Sequence, residues 1–153
     1  MSLSAQNANA YLRTRVMTAS REELRLLLLE GALKFTRQAR QALDTRDYET
    51  LFHGTDSARN IVLELITTIR PELNPSLAEQ VRSLYTFLYV RLTEASFEKN
   101  QTKFDEVINL LEYERETWVL LMQKLASERA GEAPGAAAPS DHEAPRQPLS
   151  VQG

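Results

Sequence analysis

The run Ser20-Arg-Glu-Glu-Leu-Arg-Leu-Leu-Leu-Leu-Glu-Gly-Ala-Leu-Lys-Phe35 decides how this chain folds. It opens on a capping box, in which the Ser20 hydroxyl accepts from the Glu23 amide while the Glu23 carboxylate reaches back to the Ser20 amide. Acidic residues come first (Glu22, Glu23) and basic ones later (Lys34, Arg37, Arg40), an order that suits the helix dipole. The spacing predicts a helix from about Arg21 to about Thr45, with Leu24, Leu28, Gly31, Phe35 and Ala42 along its core stripe.

The same periodicity continues outward from that helix. A second helix is predicted from about Asp47 to Ile69, with Tyr48, Leu51, Thr55, Ala58, Val62, Leu65 and Ile69 on one face. Arg70-Pro71 stops it, because the residue before a proline is pushed out of the helical region. A third starts near Pro75-Ser76, carries Leu77, Val81, Leu84, Leu88, Leu92 and Ala95 in register, and fades at Lys99-Asn100. A fourth runs from about Thr102 to Ala126, with Phe104, Val107, Ile108, Leu111, Trp118, Met122 and Leu125 aligned. No stretch alternates with period two for more than a few residues. Helices joined by short connections give an all-α, antiparallel four-helix bundle over residues 21–126.

Residues 1–20 are polar with sparse anchors (Leu3, Tyr11, Leu12, Val16, Met17) and read as an N-terminal arm. Residues 127–153 hold Pro134, Pro139, Pro145 and Pro148 but no aromatic residue, so they bury too little to offset chain entropy. They are expected to form a disordered C-terminal tail.

Composition removes whole classes of function. A net charge of -3 and the lack of a basic stripe argue against nucleic acid as a partner. The absence of cysteine excludes disulfides, thiol catalysis and cysteine-ligated zinc. The start Met1-Ser-Leu-Ser-Ala-Gln6 has neither the basic n-region nor the apolar run of a secretory signal, and no segment reaches the roughly 20 apolar residues of a membrane span. The expected location is the cytoplasm, with no stable membrane insertion.

Catalytic and metal-binding patterns are missing too. Neither His53 nor His142 belongs to a Glu-x-x-His pair, so a di-metal bundle site has no ligands. His53 is an alternative phosphoacceptor, as in histidine phosphotransfer bundles, but His53-Gly-Thr-Asp-Ser57 lacks the lysine expected shortly after it. Glu112, Glu114 and Glu116 are spaced by two and spread over different helix faces. Arg115, beside the apolar stripe, is expected to form a structural salt link. The chain is expected to be no enzyme and to need no cofactor or metal.

Two helices carry more apolar surface than one stripe requires. On the first, Leu26, Leu29 and Leu33 point away from the assigned core stripe. On the third, Phe87, Val90 and Phe97 lie off the stripe, with Tyr85 and Tyr89 flanking it. One reading has these helices central and covered on both sides, in part by the arm or a second copy in a homodimer. The other has the surplus form a groove for an amphipathic partner helix, and the two are compatible where the arm covers that groove until the partner arrives.

Several segments resemble the FliS family of flagellin export chaperones. Thr18-Ala-Ser-Arg-Glu-Glu-Leu-Arg-Leu-Leu-Leu-Leu-Glu-Gly-Ala32 is similar to that family's Thr-Ala-Ser-Pro start with its leucine run and Asp-Gly-Ala. Leu84-Tyr-Thr-Phe-Leu-Tyr-Val-Arg-Leu-Thr-Glu-Ala95 resembles its Leu-Tyr-Asp-Tyr-Met-Tyr-Arg-Arg-Leu-x-x-Ala signature. Glu112-Tyr-Glu-Arg-Glu-Thr-Trp118 is similar to its closing Leu-Arg-x-x-Trp turn, and Tyr11 matches a tyrosine of its N-terminal arm. Arg21 stands in place of the family's proline, Thr86 and Val90 in place of an acidic and a basic residue, and Asn74-Pro75 in place of a Gly-Gly.

The resemblance implies a chaperone that binds the C-terminal helical segment of flagellin. It would keep that segment from polymerising early in the cytoplasm and assist its delivery to the export apparatus. The candidate partner surface comprises Leu26, Leu29, Leu33, Phe87 and Val90 from the surplus, and Tyr85, Tyr89 and Arg91 from the resemblance. Tyr11 is expected to be part of a displaceable cover. On this assignment Leu29→Asp abolishes binding and leaves helicity intact.

Overall fold

Ser20 starts the leucine-rich helix as its spacing requires: its hydroxyl accepts from the Glu23 amide at 3.2 Å, and its own amide donates to the Glu23 carboxylate at 3.0 Å. These bonds hold the Glu23 carboxyl below the usual carboxylate range. The computed structural model describes residues 3–72 and 74–137. They form α1 (Leu3–Thr18), α2 (Arg21–Thr45), α3 (Tyr48–Thr67), α4 (Pro75–Glu98) and α5 (Gln101–Ala137). There is no strand among the described residues.

Local chemistry fixes each junction. Arg46 and Lys99 end α2 and α4 in the left-handed conformation, and their amides satisfy the last carbonyls of those helices. Asp47 caps α3 by accepting from the Thr50 amide at 3.2 Å, and Asn74 caps α4 ahead of Pro75 by accepting from the Leu77 amide at 3.1 Å. Asn100 does the same for α5 through the Lys103 amide at 3.1 Å. The α2–α3 and α4–α5 connections are only two residues long, which folds each pair back on itself.

The chain forms two compact units, residues 1–116 and 117–153. The first holds the bundle. Ion pairs and close contacts give the order in which its helices neighbour one another. Gly54 of α3 lies against Phe35 and Ala39 of α2, and Arg59 of α3 donates to the Thr93 hydroxyl of α4 at 3.0 Å. Lys103 of α5 pairs with Glu94 and Glu98 of α4 at 3.3 and 3.0 Å. Arg40 of α2 pairs with Asp105 of α5 at 2.9 Å, and Arg37 with Glu112. The carboxylate of each pair is about half exposed, so these pairs fix register more than they stabilise. Arg115 makes the expected structural link, to Glu30 of α2 at 3.2 Å.

The interior consists of Leu29, Leu33, Leu51, Val62, Leu65, Tyr85, Leu88, Leu92, Phe104, Val107 and Leu111, with small residues where helices approach closely. Each fully buried leucine contributes about 1.5–3 kcal/mol. Buried Thr36 and Thr55 donate to the carbonyls of Ala32 and Leu51 at 2.7 and 2.8 Å, so neither hydroxyl is stranded.

The bundle architecture agrees with the sequence expectation. Leu77, expected on the core stripe of α4, is instead exposed, and Ala78 beside it is buried. Two further details differ. The core face of α2 is Leu29, Ala32, Leu33, Thr36, Ala39 and Ala42, while Leu24, Leu28 and Phe35 are only half-buried. The expected phase was therefore wrong. Leucines at 24, 26–29 and 33 cover most of the circumference, so apolar content cannot choose a face. The small residues Ala32, Thr36 and Ala39 choose it, because only they let α3 approach. The second detail is the end of α5, which continues past Ala126 to Ala137. Ala126-Ser-Glu-Arg-Ala130 is rich in helix formers, and extending an existing helix avoids the cost of nucleation. The rest of the expected tail, with His142, lies outside the described residues.

The N-terminal arm is a helix, α1, whose anchors remain exposed: Tyr11 is 67% exposed and Met17 80%. Tyr11 does not act as a cover in this state.

A candidate helix-docking surface

The surplus apolar residues separate into two groups. Leu29 (0% exposed) and Leu33 (3%) are core. They present no surface to a partner, and Leu26 beside them is half-buried. This corrects their assignment to a groove, for the reason given by the phase of α2.

Tyr85 is corrected in the same way. Its ring is fully buried, and its hydroxyl accepts from Arg25 Nη2 at 2.6 Å and donates to Glu114 Oε1 at 3.1 Å. Arg25 also lies over the Tyr85 ring, 5.4 Å from its centroid, and donates to the Thr68 hydroxyl at 2.9 Å. Side chains from α2, α4, α5 and the C-cap of α3 thus meet at one point. Burial pushes the Tyr85 phenol well above its usual value, and Glu114 pushes in the same direction against the opposing pull of Arg25. The phenol stays protonated and acts as a structural connector. Tyr85→Phe should cost roughly 1–2 kcal/mol, since it leaves two half-buried polar groups short of a partner. A thermal melt should drop by a few degrees, because each kcal/mol shifts a chain of this size by about 2–4 °C. An unchanged melting temperature would show the connector to be idle.

The α4 residues behave differently. Phe87 (39% exposed) and Val90 (49%) stand on the outer side of the bundle, and Phe97 is the most open at 85%. Arg91 lies over the Phe87 ring at 4.8 Å and pairs with Glu94 and Glu106, so it sits on the α5 side of α4. Tyr89 is half-buried on the α3 side, under the Arg59 guanidinium at 5.5 Å.

The expected surface omitted its α3 half. Phe52 and Leu63 are exposed on α3, and they share a face with Asp56 and Arg59 at positions i, i+4, i+7 and i+11. On α4 the matching row is Thr86, Val90, Thr93 and Phe97. Between the two rows runs an open cleft of about 330 Å³, lined by Phe52, Asp56 and Arg59 from α3 and by Thr93, Ser96 and Phe97 from α4. The i, i+4, i+7, i+11 spacing of Phe52 and Leu63 was legible in the sequence as a second, weaker stripe on that helix.

Among the described residues no cluster of His, Asp or Glu could hold a metal, and no helix is long and apolar enough to cross a membrane. His53 is exposed beside Phe52. The cleft combines two exposed aromatic rings, Phe52 and Phe97, with the polar side chains of Asp56, Arg59 and Thr93.

The sequence profile of one family, described as Flagellar protein FliS, matches residues 4–125, which span α1, the whole bundle and the first part of α5 beyond it. This chain belongs to the FliS family. It is similar to the flagellar secretion chaperone FliS of Bacillus subtilis (strain 168), at 32% identity over 122 residues, 80% of this chain and 90% of the relative. It is also similar to the flagellar secretion chaperone FliS of Campylobacter jejuni, at 31% identity over 110 residues, 72% of this chain and 86% of the relative. FliS is a chaperone family and not an enzyme family. Nothing in these matches supports the phosphotransfer alternative for His53.

Proposed function

We propose that this protein is a cytoplasmic flagellar export chaperone that binds the C-terminal helical segment of flagellin. It holds that segment unpolymerised and assists its delivery to the export apparatus. The observation that carries the reading is the apolar face of α3 and α4, where Phe52, Leu63, Phe87, Val90 and Phe97 remain exposed although the core is complete. A segment that assembles with copies of itself displays an apolar stripe, and an amphipathic helix laid on this face covers that stripe. Binding alone does the work, with no nucleotide or cofactor.

Co-expression with the host's flagellin followed by affinity purification tests it. Full-length flagellin should co-purify as a defined complex, and flagellin lacking its C-terminal segment should not. Equal recovery of both would sink the proposal. Light scattering on the same samples separates a chaperone–flagellin heterocomplex from a homodimer.

A further inference from the structure

The cleft between α3 and α4 is uneven in chemistry. At one end Phe52 and Phe97 face each other across it, and Tyr48 lies beside them on the first turn of α3. In the middle Asp56 pairs with Arg59, which donates to Thr93 at 3.0 Å. At the other end lie Leu63 and Val90, both apolar and exposed. From Phe52 to Leu63 the rows run eleven residues, about 16 Å of helix rise. That length matches three turns of a partner helix.

Charge is uneven as well. The Arg59 charge is met by Asp56 inside the cleft. The Lys99 ammonium stands over the Tyr48 ring at 4.9 Å and the Phe52 ring at 5.9 Å. Among the described residues it has no carboxylate partner, whereas the nearby Glu94 and Glu98 are taken by Lys103. The aromatic end of the cleft is thus rimmed by an unmatched positive charge, held on a residue whose backbone is fixed as the left-handed cap of α4.

We infer that the Phe52–Phe97 end of this cleft is a socket for one large apolar side chain of the bound flagellin helix, and that a carboxylate on that helix pairs with Lys99. This rests on the flagellin reading above and deepens it by naming which part of the partner docks where. The apolar anchor fills the open space between the two rings. The carboxylate lies one turn away on the same face, where Lys99 reaches it without leaving the rings. The partner's next apolar residues, two to three turns on, meet Val90 and Leu63.

The test measures the affinity of purified flagellin monomer for the full chain and for three variants. Phe97→Ala removes a wall of the socket. Thr93→Trp fills its floor from an exposed position. Lys99→Glu reverses the rim charge. All three positions are exposed, and far-UV circular dichroism with a thermal melt confirms that each variant is folded. Phe97→Ala and Thr93→Trp should weaken binding at least about tenfold, as loss of a central anchor pocket does. Lys99→Glu should weaken it several-fold at low salt, with the gap closing at high salt as screening removes the charge effect. If the unsubstituted chain binds flagellin and all three variants match it, the socket is wrong and the chaperone reading stands. If the unsubstituted chain does not bind flagellin, the chaperone reading itself fails and the socket falls with it. If only Lys99→Glu is silent, the carboxylate half of the inference is overturned.

Discussion

Leu29→Asp should unfold the bundle, not merely strip it of a partner. The Leu29 side chain is fully enclosed. Truncating such a leucine alone costs about 2–5 kcal/mol. Aspartate adds the cost of a buried polar group with no bonding partner, and in the charged form that cost rises steeply. The sum exceeds about 4 kcal/mol, in a domain whose whole stability is about 5–15 kcal/mol. Far-UV circular dichroism and urea titration check this. The variant should lose its cooperative transition or show a much lower midpoint. Phe97→Asp, on the open side of α4, should keep both helicity and midpoint. A Leu29→Asp protein as stable as its parent would mean that α2 is turned the other way, with the leucines at 24 and 28 inside.

That reversal shows what the sequence could and could not convey. Four helix boundaries were legible because they are local: Ser20 with Glu23, Asp47, Asn74-Pro75 and the Lys99-Asn100 junction carry their own hydrogen-bonding chemistry. The core faces of α3 and of the first half of α5 were legible in large part, and that of α4 only in its second half, since Leu77 is exposed and Ala78 and Tyr85 are buried where Leu77, Val81 and Leu84 were expected. Leu51, Ala58, Val62 and Leu65 are all buried as the spacing required, as are Leu88, Leu92, Phe104, Val107 and Leu111. The face of α2 was not legible. With leucines nearly all round, the choice passes to the helix that packs against it, and that is a tertiary fact.

Tyr85 failed for a related reason. A tyrosine flanking a stripe sits at the boundary, and its hydroxyl goes inside only if a partner awaits it there. Arg25 and Glu114, 60 and 29 residues away in sequence, supply that partnership. Half of the candidate surface was visible as the surplus on α4. The other half needed α3 placed beside it, because Phe52 and Leu63 draw notice only when Phe97 and Val90 stand opposite. The surface therefore belongs to a pair of helices, and a reading of helices one at a time divides it.

Gly54→Leu should cost about 3 kcal/mol or more, because the new side chain has no room and the obstacle is backbone. A glycine inside a helix ordinarily gains about 1 kcal/mol when replaced by alanine. At Gly54 even a methyl group would meet the Phe35 carbonyl oxygen at 2.9 Å and the Ala39 amide nitrogen and methyl at 3.2 Å. Neither peptide group can swing aside, so α3 must back away from α2 and loosen the contact that selects the α2 face. Gly31 offers the contrast within the same helix pair. A methyl there would meet only the Ile61 Cδ1 at 3.1 Å, the far end of a side chain that can turn. Gly31→Ala should be neutral or gain up to about 1 kcal/mol. Urea titrations of both variants give the sign directly. A Gly54→Leu protein close to the parent in stability would show that α2 and α3 are farther apart than described. The α3 row of the docking cleft, Phe52 two residues before Gly54 included, would then need placing afresh.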